Sequence, residues 1–153
     1  MKKIKWIILF VAGVCVLVVG FFFTNSYDFV LKNHSIQELI NESFATSLDE
    51  NASVIYEVDT IKGFDRDGER YLILDYSSSD IGDIEENFVK ESDSSFENEV
   101  SKILHEIDID NKYLPLFTDD YYSKEIDYSN RDDKLYLIYF PEKKQLYALA
   151  YYI

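Results

Sequence analysis

The chain has a single cysteine, Cys15, in 153 residues. No disulfide can close within it, so any folded domain is held by its core alone. Histidine is nearly as scarce. His34 and His105 stand far apart with no cysteine beside either, which excludes a transition-metal site built at ligand spacing. His105-Glu106 lacks the second histidine of a zincin, and neither Gly-x-Ser-x-Gly nor Ser-x-x-Lys occurs. Of the five glycines, Gly13 and Gly20 fall in an apolar N-terminal run, leaving too few for a phosphate-cradling loop. The sequence therefore carries no catalytic signature and is read as a non-enzyme without cofactor. Cations are the last shortage, with 15 Lys and Arg against 29 Asp and Glu.

Three of those cations open the chain as Lys2, Lys3 and Lys5. From Trp6 to Phe23 there follow eighteen residues without charge or proline, thirteen of them Ile, Leu, Val or Phe. As a helix they span about 27 Å, near the hydrocarbon thickness of a bilayer. The run ends in Phe21-Phe22-Phe23, poor residues for a signal-cleavage site and good ones for a membrane interface. Val14 stands before Cys15 where a lipoprotein signal needs a small residue, so Cys15 reads as one apolar side chain in lipid. The expectation is a basic cytoplasmic tip at 1–5, a single transmembrane helix at 6–23, a juxtamembrane segment at 24–34 and an acidic extracytoplasmic domain at 35–153. The lysines set the N-terminus inside.

All 29 acidic residues lie beyond the apolar run. With the three N-terminal lysines removed, 12 basic residues remain, so the exported part carries −17. Such a surface repels nucleic acid and anionic lipid and attracts cationic proteins or divalent cations; the same charge also serves solubility. Thirteen Tyr and eleven Phe are too many for a disordered acidic tail.

Ser35 and Glu38 form a capping box before Ile36, Leu39, Ile40, Phe44 and Leu48, which recur at helical spacing and predict a helix over 36–48 with Gln37, Glu38, Asn41 and Glu42 on its wet face. Residues 53–62 and 69–76 alternate like strands, and Asp67-Gly68 between them signals a hairpin. From Ser79 to about Ile107 two helical stripes appear. One is Ile81, Ile84 and Phe88; the other is Phe96, Val100, Ile103, Leu104 and Ile107, opened by a second capping box at Ser94 and Glu97. Segments 121–128, 134–140 and 145–153 then read as a three-strand meander. The predicted fold is α+β: an antiparallel sheet of about five strands, hairpin plus meander, packed with about three helices on one face.

The meander strands are apolar on both sides. One reading is that helices cover the second face as well, or that the tyrosines merely tile the solvent side; the other is that this face is a tyrosine-rich binding surface with an acidic rim. On the second reading the contact residues are Tyr121, Tyr122, Tyr128, Asp132, Asp133, Tyr136, Tyr139, Tyr147 and Tyr151. Asp119-Asp120 and Asp132-Asp133 are loop-end pairs of the kind that hold calcium loosely. In layout, with a short basic tip, one membrane helix and an acidic α+β domain ending in a Tyr-rich meander, the whole chain resembles TipC-type immunity proteins of Gram-positive bacteria. The resemblance rests on no residue motif and carries over no site residues. It implies a cell-membrane protein whose outer domain binds a secreted toxin that acts on cell-wall precursor. The alternative is an accessory subunit of a membrane complex at the cell surface.

Overall fold

The computed structural model describes residues 34–61, 67–78, 87–90, 94–128 and 131–153. The chain divides into two compact units, Met1–Ser35 and Ile36–Ile153. The membrane segment expected at 6–23 lies outside the described residues. Among the described ones, no helix is long and apolar enough to cross a membrane.

The second unit is α+β. Its elements run α1 (Ile36–Phe44), β1 (Ser53–Asp59), β2 (Gly68–Asp75), β3 (Val89–Lys90), α2 (Ser94–Glu106), a 3-10 turn (Asn111–Tyr113), β4 (Tyr122–Asp127), β5 (Lys134–Phe140) and β6 (Gln145–Tyr152). The strands form one six-stranded sheet in the order β1-β2-β6-β5-β4-β3, every neighbouring pair antiparallel. The predicted hairpin is β1–β2, and the predicted meander is β4–β5–β6. What joins them is the β2–β6 ladder, in which Gly68 faces Tyr152 and Asp75 faces Gln145. The last strand in sequence thus lies in the interior of the sheet.

Side chains alternate across a strand, so a sheet buried on both sides needs strands apolar throughout. Strand β5 meets that condition, every residue from Leu135 to Phe140 being buried. One face carries Leu72, Leu74, Leu135, Leu137, Tyr139, Leu146, Ala148 and Ala150, closed by Ile40 and Phe44 of α1 together with Leu48 and Ala52. The opposite face carries Tyr71, Ile73, Tyr136, Ile138, Phe140, Tyr147 and Leu149, closed by Phe96, Val100, Ile103 and Leu104 of α2 and by Ile109. Each buried Val, Leu, Ile or Phe side chain among them contributes about 1.5–3 kcal/mol on leaving water. The expectation that helices lie on one face is thereby corrected: the helices cover both.

Three further differences have local causes. Helix α1 stops at Phe44 because Ala45 turns left-handed (φ 49°). Leu48 still reaches the core, held by Asn41, whose Nδ2 donates to the Leu48 carbonyl (3.2 Å) and whose Oδ1 accepts the Leu48 amide (2.8 Å). Gln37, expected on the wet face, is buried and donates to the Asp49 carbonyl at 2.6 Å. The predicted stripe at Ile81 and Ile84 lies outside the described residues, while Phe88 packs on the α1-side core and leads into β3.

Candidate functional site

On the α2 side of the sheet the aromatic rings form a continuous row. Tyr113 stacks on Tyr56 (3.8 Å between centroids, 19° between planes), and Tyr56 meets Tyr71 edge-on at 6.2 Å. The row continues through Tyr147, Phe140 and Tyr121 to Phe117. The segment after α2 supplies both ends of this row, and so is laid down on the sheet instead of looping into solvent. Tyr71 donates to the Tyr113 carbonyl at 2.6 Å, and Tyr121 donates to Glu97 of α2 at 2.6 Å. Burial pushes the ionisation of Tyr71, Tyr136 and Tyr147 upward; Tyr147 and Tyr56 add to this at Tyr71, and the Glu99 carboxylate adds to it at Tyr136.

This geometry divides the nine residues expected to contact a partner. Tyr121, Tyr136, Tyr139 and Tyr147 are buried core residues, and Asp133 is buried as well, with one carboxylate oxygen accepting the Ile153 amide at 3.0 Å. Their aromatic character served packing between sheet and helices. Tyr128 and Asp132 are exposed, while Tyr122 and Tyr151 are half-buried, packed against the α1-side and α2-side cores. Tyr128, Asp132 and Tyr151 share the end of the sheet where β4 turns into β5, because Lys134 is in register with both Asp127 and Tyr151. Tyr128 is 42% exposed there. Tyr122 stands at the other end of β4, opposite Tyr139.

At the first of these ends a cation is already engaged. Lys134 contacts Glu125 at 2.8 Å and Glu99 at 3.4 Å, and these carboxylates, Glu125 first, raise its affinity for its proton. Elsewhere acids dominate: Glu50, Glu57, Asp108, Asp120, Asp132 and Glu142 are exposed.

The C-terminal end of α2 borders a cleft of about 410 Å³ lined by Ser101, His105, Asp108, Asn111, Leu114 and Pro115 among others. Asp108 is left-handed there (φ 56°), and its amide closes the helix on the His105 carbonyl at 3.3 Å. Among the described residues no hydrogen bond joins the side chains of Ser101, His105 and Asp108, so they do not form the linked nucleophile, base and orienting group of acyl transfer. Nor, among those residues, does any group of three His, Cys, Asp or Glu converge as metal ligands.

Two surface features escaped sequence reasoning. The cleft joins residues from a helix end and the turn after it, which no periodicity relates. The position of β1 at a sheet edge is invisible because alternation reports a strand and not its neighbours. No protein-family model, curated protein or solved structure matches the chain.

Proposed function

We propose that the chain is a membrane-anchored binding protein of the cell surface whose acidic domain captures a basic protein, and that it acts as an immunity protein neutralising a secreted antibacterial toxin by direct contact. The observation that carries this reading is electrostatic. From residue 36 onward acidic residues outnumber basic ones by seventeen, 28 against 11, and both apolar faces of the sheet are covered, so carboxylates outnumber cations on the accessible surface. Charges of one sign over a whole domain raise the encounter rate with an oppositely charged partner and fix orientation before contact. The exposed Tyr128 and Asp132, with the half-buried Tyr151 at the same end of the sheet, add aromatic area beside that charge, a combination suited to a protein interface. The N-terminal apolar run supplies the anchor that holds the domain where a secreted toxin arrives.

The test is capture from secreted and envelope fractions with the full chain as bait, at low and at high salt. The expected result is one basic secreted protein, retained at low salt and released as salt rises, which kills cells lacking the chain and spares cells carrying it. Retention of integral membrane subunits after exchange of the N-terminal segment would place the protein in an accessory role instead. No partner even at low salt would refute the binding reading.

A further inference from the structure

The sheet has two edges, and they are treated differently. At one, β3 is two residues long, the blunted form that discourages pairing with another chain. At the other, β1 runs for seven residues and leaves Val54 48% and Ile55 40% exposed. Among the described residues no strand pairs with this edge. The Thr60 amide donates to the Glu69 carbonyl at 2.9 Å, which fixes the phase of the antiparallel ladder. Alternation then directs the polar groups of Val58 and Tyr56 toward β2, and those of Glu57 and Asp59 away from it. No described residue hydrogen-bonds these outward backbone groups.

The side chains of the same residues specify what fits. Tyr56 and Val58 pack toward the α2 side. By alternation Glu57 and Asp59 stand on the other side, at the rim of the α1-covered face. Asp59 is engaged by Arg70 at 3.1 Å, whereas Glu57 is in no ion pair among the described residues. A bulge between Val54 and Tyr56 breaks the register and limits regular pairing to the half of β1 from Tyr56 to Asp59.

We propose that this half of β1 is a strand-addition site for an extended, cationic segment of the partner protein. The added strand runs along the outer edge and takes up to four backbone hydrogen bonds from Glu57 and Asp59. It sets a Lys or Arg opposite Glu57, and an apolar residue beside Tyr56 and Val58 on the opposite side. A second copy of this chain is disfavoured as occupant, since its own β1 would bring Glu57 and Asp59 against their counterparts on a chain of net charge −14. The inference rests on the cationic-partner reading above and names where and how such a partner docks.

The test uses the full chain in uncharged detergent micelles and three capped octapeptides: alternating Lys-Val, the same composition with lysines clustered, and the alternating peptide N-methylated on every second amide. Binding is followed by fluorescence anisotropy, and amide hydrogen exchange is followed by mass spectrometry. The expected result is tightest binding by the alternating unmethylated peptide, with exchange slowed at residues 55–60. Glu57→Lys weakens that binding by at least about tenfold through like-charge contact. Asp120→Lys, the same charge change beside β4, weakens it far less. Equal binding of the methylated peptide without protection over β1 would overturn strand addition while leaving cationic capture standing. Failure of every cationic peptide to bind would count against both. Protection of β1 without peptide, together with a dimer in sedimentation, would assign the edge to a second copy and overturn the proposal.

Discussion

Arg70 and Asp59 form a pair whose two members are unequally buried, and that inequality predicts the order of their mutational costs. The Arg70 side chain is 8% exposed and the Asp59 side chain 29%, with Nε and Oδ2 3.1 Å apart. Arg70 also donates to the Tyr152 hydroxyl at 3.2 Å and lies 5.1 Å from the centre of that ring. At an effective dielectric near 20, charges this close attract by roughly 4–5 kcal/mol before desolvation is subtracted. In Asp59→Asn the guanidinium keeps Tyr152 but loses its counter-charge while still buried, a cost of about 2–3 kcal/mol. In Arg70→Met the carboxylate that remains can rehydrate, and its other oxygen still accepts the Ile61 amide at 2.9 Å. That variant costs about 1–2 kcal/mol, much of it lost packing of the long side chain. The double variant falls below the sum of the two. Urea denaturation of the full chain, followed by near-ultraviolet circular dichroism, measures all three. If Arg70→Met proves the more damaging single change, or the two costs simply add, the pair is not the buried, one-sided interaction described.

Gly68 has φ 139°, and a Cβ there would stand 2.9 Å from Thr60 Oγ1 and 3.1 Å from Ile61 Cγ1; Gly68→Ala is expected to cost about 1–3 kcal/mol in the same assay, and a neutral result would refute the close approach at the start of β2. Burial holds Tyr71, Tyr76, Tyr136 and Tyr147 above the ordinary value of 10.0. The unfolded chain ionises them first, so their contribution to stability is intact below pH 10 and is lost as pH rises beyond it. Absorbance at 295 nm should therefore rise with a cooperative step that coincides with loss of near-ultraviolet ellipticity, and a smooth titration of all tyrosines with the fold intact would contradict their placement.

The meander was readable because Leu135 to Phe140 and Leu146 to Tyr152 are bounded by polar turns, and the α2 stripe because Phe96, Val100, Ile103 and Leu104 keep helical spacing. Failure came where spacing is degenerate. Leu48 continues the phase of α1, yet Ala45 ends the helix and Asn41 carries the chain to the same core by side-chain hydrogen bonds. Strand β3 is too short to have a period. The pairing of β2 with β6 joins residues 70 (Asp75 and Gln145) to 84 (Gly68 and Tyr152) positions apart and leaves no local trace. The tyrosines of β5 and β6 show the same ambiguity in the candidate site. Residues apolar on both sides of a strand mark double burial when a second layer exists and a binding face when it does not, and only the placement of α1 and α2 on opposite faces separates the two.

That placement also constrains any partner of this domain. Once both faces of a sheet are covered, a protein can approach only the backs of the helices, the ends of the strands or the edges. Helix backs here expose Glu42, Lys102 and Glu106, whose immobilisation on contact costs about 0.5–1.5 kcal/mol for each rotamer-rich group. Strand ends offer Tyr128, Asp132 and Tyr151, with few rotatable bonds and no regular backbone to extend. An edge offers main-chain groups already fixed in place, so each hydrogen bond formed there orders only the incoming chain. If the proposed basic partner is drawn in by net charge, the edge adds what charge alone lacks, a direction and a register. Glu57 stands where both requirements meet.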